Sequence, residues 1–244
     1  MYADVYFLGG DFLDKFKALI SYFSKSEITL WCCSIFLITI SFFAYNQNSF
    51  LTLVASLVGV TSLIFNAKGN PIGQFLMIVF SLLYGFISLT FAYYGEMITY
   101  LGMTLPMAVV ALITWLKNPY KGNKAEVQVN HISKKELILM LILTAVVTYV
   151  FYVILNAFNT ANIIPSTISV TTSFIAVYLT FRRSPYFAIG YAANDIVLII
   201  LWVLAAIEDM TYLSVVVCFV VFFVVDLYGF INWRKIGKRQ SENL

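Results

Sequence analysis

Charge is what this sequence has least of. Only 11% of its 244 residues are Asp, Glu, Lys or Arg, histidine occurs once and cysteine three times. A soluble domain carries about one quarter charged residues. A chain of this length still exposes a large surface after folding, and 61% hydrophobic residues could not be hidden beneath it. A soluble enzyme and a nucleic-acid-binding domain are thereby excluded, and a single integral-membrane domain is left. Cys32, Cys33 and Cys218 form neither a CxxC pair nor an even framework, so no disulfide or metal site is read from them. His131, alone in a polar loop, cannot build a metal site. There is no GxxxxGK[ST] loop, hence no ATP-driven engine, and no cofactor is called for. No Lys or Arg lies deep in an apolar run, which removes both a Schiff-base lysine and a buried basic clamp for phosphate or carboxylate.

What is abundant is long apolar sequence. Crossing the hydrocarbon takes about 20 apolar residues, and the chain offers eight such runs, at 27–46, 50–66, 72–94, 97–116, 137–157, 164–181, 186–207 and 210–233. Ahead of them, residues 11–24 space Phe12, Phe16, Leu19, Ile20 and Phe23 as an interfacial amphipathic helix would. With eight spans, all 15 basic residues fall on one side, including Lys68, Lys117, Arg182, Arg183 and Arg234. The opposite turns hold Glu96, Glu208 and Asp209 instead. Omitting any interior span would scatter the basic residues over both faces. The asymmetry therefore predicts eight spans with cytoplasmic N- and C-termini.

The polar loop 117–136 divides the chain into halves that resemble each other. Thr61-Ser62 leads to Lys68-Gly69-Asn70-Pro71, and Thr172-Ser173 leads to Arg182-Arg183-Ser184-Pro185. A long span follows each turn, ending at Gly95-Glu96 in one half and Glu208-Asp209 in the other. The next span opens at Thr99-Tyr100 and Thr211-Tyr212, and closes at Trp115–Lys117 and Trp233–Lys235. The expected plan is all-α: an N-terminal segment and extra helix (1–49), a first three-helix repeat (50–116), a loop and linker helix (117–163), a second repeat (164–233) and a tail (234–244). An odd linker makes the repeats parallel, an arrangement of transporters in which substrate binds near the midplane between repeats. Gly69, Gly73, Gly85, Gly190 and Gly229 are placed to let helices approach or bend.

The costly residues inside spans are the candidates for function. An acid at the centre of a lone helix costs about 2.5–3.5 kcal/mol. Asp195 and Asp226 lie on consecutive spans, each roughly 10–14 Å in from the basic side, so they can face one cavity or staple the bundle by hydrogen bonds. Asn194 and Gln74 offer amides that both donate and accept. Tyr84, Tyr191, Trp202 and Tyr228 offer faces for stacking an aromatic ligand. The substrate-site candidates are therefore Gln74, Asn194, Asp195, Asp226, Tyr84, Tyr191, Trp202 and Tyr228. The two acids also admit a second class, an intramembrane aspartyl protease, although no Gly-x-Gly-Asp element flanks them.

The runs Asn66-Ala-Lys-Gly-Asn-Pro-Ile-Gly-Gln74, Tyr94-Gly-Glu-Met-Ile-Thr-Tyr100-Leu-Gly-Met-Thr-Leu-Pro106 and Trp115-Leu-Lys-Asn-Pro-Tyr120 resemble the PnuC nicotinamide riboside transporters. So do Arg182-Arg183-Ser-Pro-Tyr186 and Asp226-Leu-Tyr-Gly-Phe-Ile-Asn-Trp233. The resemblance spans residues 50–240. It implies two three-helix bundles joined by a linker, a plan like that of SWEET sugar transporters, with an extra N-terminal helix. It further implies facilitated diffusion of nicotinamide riboside across a bacterial inner membrane, trapping by a cytoplasmic riboside kinase, and homotrimers. The family's Trp-x-Asn-x-x-Tyr motif is absent in that form; the nearest strings are Trp115-x-x-Asn118-x-Tyr120 and Tyr228-Gly-Phe-Ile-Asn232-Trp233. Relatives that carry thiamine, riboflavin or deoxynucleosides remain alternatives. Nicotinamide riboside is a flat cation with a carboxamide and ribose hydroxyls, which suits acids, aromatics and amides, whereas its phosphorylated form would want a basic partner at depth.

Overall fold

A computed structural model describes residues 21–45, 49–90, 94–160 and 162–243. Eight helices among them are long and apolar enough to cross a membrane. They are α1 (Lys25–Tyr45), α2 (Phe50–Ala67), α3 (Ile72–Thr90), α4 (Tyr94–Lys117), α5 (Lys134–Ala157), α6 (Ile163–Phe181), α7 (Phe187–Glu208) and α8 (Leu213–Glu242). Residues 11–20 of the expected amphipathic segment, with Lys15 and Lys17, lie outside the described residues.

Several boundaries differ from the sequence reading. Helix α4 begins at Tyr94, three residues early, so that Glu96 sits inside its first turn and is buried. It also contains a π-turn at Tyr100–Thr104, closed by the Leu105 N–H donating to Tyr100 O. Helix α8 does not stop at residue 233. It runs on to Glu242 because Lys and Arg are good helix formers and because Gln240 is anchored on the polar loop, its Nε2 donating to Glu126 Oε1 at 2.8 Å. The polar loop carries a hairpin, β1 (Pro119–Tyr120) and β2 (Asn123–Val127), turned by Lys121 and Gly122 at φ 47° and 81°. Two consecutive left-handed residues are what a tight primed turn requires.

Helix α2 packs on α3 and α8, α4 on α3 and α6, and α7 on α6 and α8. The two halves thus meet along α2/α8 and α4/α6. Helix α1 leans on α2 and α8, and α5 leans on α6. Both leave outward faces of apolar side chains such as Phe36, Phe43, Leu139 and Ile142, a surface that suits lipid rather than water. Glu27 pins α1: its carboxylate accepts from Lys68 Nζ at 2.9 Å and from Tyr228 Oη at 2.9 Å. Gly190 lets α7 approach α6, since a methyl there would stand 2.9 Å from Ala176 Cα.

The turns after α2 and α6 have the same hydrogen-bond pattern. Gly69 N–H donates to Asn66 O and Asn70 N–H to Phe65 O; Arg183 N–H donates to Thr180 O and Ser184 N–H to Leu179 O. Each turn passes through a left-handed residue, Gly69 at φ 69° and Arg183 at φ 57°. The strand leaving the hairpin crosses both turns, with Val127 N–H donating to Gly69 O at 2.9 Å and Asn130 N–H to Arg183 O at 3.0 Å. This strap closes the basic end of the bundle, where Trp115, Trp233, Phe187 and Val127 form a buried cluster.

Candidate functional site

A small cavity lies at the centre of the bundle. Leu63 of α2, Phe80 of α3, Tyr100 and Thr104 of α4, Ser173 of α6, Asn194 and Asp195 of α7 and Asp226 of α8 all reach it. All six helices of the two halves contribute, and α1 and α5 do not. Its volume is about 30 Å³, room for roughly one water, so the described conformation is closed around the site. Tyr100 and Thr104, four residues apart on α4, lie on one face of the helix, and both line the cavity.

Asp195 and Asp226 are both buried, and both line this cavity. No donor reaches Asp195 Oδ2. Tyr191 stands beside the pair. Asn194 is held by α6: the hydroxyls of Ser169, Thr172 and Ser173 lie 3.2, 2.9 and 3.0 Å from its Oδ1. The lining includes no Lys, Arg or His among the described residues. A buried carboxyl pair is costly to ionise without a positive partner, and this pair has none.

The other sequence candidates lie elsewhere. Gln74 is buried in a staple between α2 and α3, donating to Asn66 Oδ1 at 2.8 Å. Tyr228 serves Glu27 at the basic end. Tyr84 packs on Tyr100 with ring centroids 4.5 Å apart, next to the cavity rather than in its lining. Trp202 lines a second cavity of about 260 Å³ at the end that lacks Lys and Arg. Thr104 and Ser173 escaped the sequence reading because a lone hydroxyl in a span has many structural uses. The Thr-Ser pair recurring in both halves was the signal available for Ser173.

The model of the nicotinamide mononucleotide transporter family matches residues 49–235, from just before α2 to just past Trp233. The chain belongs to that family. It is 28% identical to the nicotinamide riboside transporter PnuC of Neisseria mucosa over 204 residues, covering 82% of this chain and 77% of that protein. It is 23% identical to the Haemophilus influenzae nicotinamide riboside transporter PnuC over 216 residues, covering 87% and 91%. Its fold matches a crystal structure of the vitamin B3 transporter PnuC with a TM-score of 0.78 at 25% identity, over 89% of this chain and 94% of that one. In this family of multi-pass carriers, which are not enzymes, Asp195 and Asp226 belong to a transporter and not to a protease dyad. The matched segment contains the six cavity-lining helices, α8 as far as residue 235, and leaves out α1 entirely.

Proposed function

We propose that this protein carries nicotinamide riboside across the bacterial inner membrane by facilitated diffusion, with the riboside bound between Asp195, Asp226, Asn194 and the aromatic rings of Tyr100 and Tyr191. One observation carries the reading: the central cavity is lined by two carboxyls, one of them with an oxygen that no donor reaches, and by no base. A cation replaces the missing partner. A flat ring fits among Phe80, Tyr100 and Tyr191, and the Asn194 amide suits a carboxamide or ribose hydroxyl. The family's mononucleotide name implies a phosphate, and a phosphate dianion would find no basic partner in this lining. The riboside, named for the relatives, is the better match.

Alternating access would rock α2–α4 against α6–α8 about this cavity. The present state is sealed at the basic end by the strap and the Trp115–Trp233 cluster. Basic residues mark that end as cytoplasmic, so opening inward requires the strap to release. The riboside would then be trapped by a cytoplasmic kinase, and three copies would assemble through their apolar flanks.

Counterflow of labelled riboside in proteoliposomes tests the proposal. Uptake competed by unlabelled riboside, and not by mononucleotide, thiamine, riboflavin or deoxynucleosides, supports it. Competition by one of the others assigns that cargo instead.

A further inference from the structure

The second cavity, at the end without Lys or Arg, has its own chemistry. It encloses about 260 Å³ between the start of α4, the α5–α6 turn and α7, and its lining includes Tyr94, Glu96, Asn159, Thr160, Trp202 and Glu208. Glu96 is only 9% exposed, and no donor reaches its Oε2. Thr160 Oγ1 is likewise buried without a partner. A carboxyl withdrawn from water with no cation and an idle oxygen is a costly arrangement, and no base lines this cavity either. Beside the acid are the rings of Trp202 and Tyr94, surfaces that attract a positive charge.

The two cavities share their walls. Along α4, Glu96 lines the outer one, and Tyr100, one turn on, lines the central one. Along α7, Asp195 and Leu198 line the central one, while Trp202, about 10 Å further along the helix, lines the outer one. Tyr100, at the central chamber, packs its ring on that of Tyr84, the two forming an aromatic plug with centroids 4.5 Å apart.

We propose that the Glu96 cavity is a second binding site, in series with the Asp195–Asp226 chamber, which captures a planar organic cation of the pyridinium class before the aromatic plug admits it. It rests on the cationic cargo proposed above. Glu96 supplies the charge, Trp202 and Tyr94 the stacking faces, and Asn159 and Thr160 polar groups for the substituents.

The test uses the full chain in lipid nanodiscs, with Asp195→Asn to disable the central site. The probe is the methylnicotinamidium cation, a quencher of tryptophan fluorescence on contact. Saturable quenching is expected, weakened by about tenfold when Glu96→Gln is added and absent with neutral nicotinamide. The quenchable fraction is expected to vanish in Trp202→Phe, which keeps the site assignment testable should Glu96→Gln misfold. Quenching insensitive to Glu96→Gln, equal for neutral nicotinamide, or displaced by sodium at constant ionic strength would overturn the proposal. Riboside counterflow by the unmodified protein is scored separately: its absence alongside Glu96-dependent quenching refutes the transport reading and leaves the site, and the converse refutes the site alone.

Discussion

Trp115 and Trp233 close the bundle reciprocally: their rings lie 5.4 Å apart, and each donates its indole N–H to the other half of the chain. Trp115 Nε1 reaches Thr180 O at the end of α6 (2.9 Å), and Trp233 Nε1 reaches Asn66 O at the end of α2 (2.7 Å). Both acceptors are carbonyls in the last turn of a helix, and each also takes one backbone N–H, from Arg183 and from Gly69. Both indoles are fully buried, so replacing one removes a buried hydrogen bond and leaves a gap where the larger ring packed. Trp233→Phe is expected to cost about 1–3 kcal/mol, read as a lowered apparent Tm in detergent. Trp115→Phe should behave alike, and the double variant should show non-additivity because the rings touch.

Asp195→Asn is expected to keep the fold and lower riboside uptake by about ten- to a hundredfold, the worth of a charge-assisted contact. Asp226→Asn should do the same. Initial rates in proteoliposomes, normalised to monodisperse protein, decide the matter. Unchanged uptake in both variants would return the pair to a structural role.

Ser173→Ala removes one of three hydroxyls from Asn194 Oδ1. It is expected to raise the KM for riboside by about fivefold, near the worth of one neutral hydrogen bond, with little change in Tm. A uniform loss of stability without a KM shift would mean that the hydroxyl packs α6 on α7 and does not set the amide.

Gly190→Val should overpack the α6–α7 contact, where even a methyl meets Ala176 Cα at 2.9 Å. A loss of about 1–3 kcal/mol is expected, together with reduced transport, since both helices line the central cavity. A thermal shift of a few degrees on the purified variant measures the first effect.

Asn130 is the strap's hold on the second half, its Nδ2 donating to Arg182 O at 3.1 Å and its backbone N–H to Arg183 O. Asn130→Ala should loosen the basic end and raise the accessibility of a cysteine placed in the central cavity to a reagent added from that side. Accessibility unchanged from the parent would show that the strap is not part of the gate.

Much of this was legible in the sequence for plain reasons. Eight spans follow from apolar length, and the basic residues fall on one side only for that count. Asp195 and Asp226 stand out because acids are rare and costly in hydrocarbon, and the 1.5 Å rise per residue puts them at one depth. Period and depth do not say which way a side chain turns. Gln74 and Tyr228 had the right chemistry, but Asn66 and Glu27 engage them at the basic end. Nor does hydropathy register the π-turn at Tyr100–Thr104, which leaves apolar length unchanged.

The sequence by itself determined the membrane class, the number of spans, the polarity of the two faces and the acids that need a partner, because each depends on composition along a line. Only the tertiary structure decided that Asp195 and Asp226 line one cavity, that Asn194 is held by three hydroxyls of α6, that Glu96 is buried in α4 over a separate chamber, and that one strap crosses both basic turns. Those relations join residues far apart in the chain. They are set by how helices pack, and packing in a bilayer is governed by shape and hydrogen bonding, for which the one-dimensional pattern holds no separate signal.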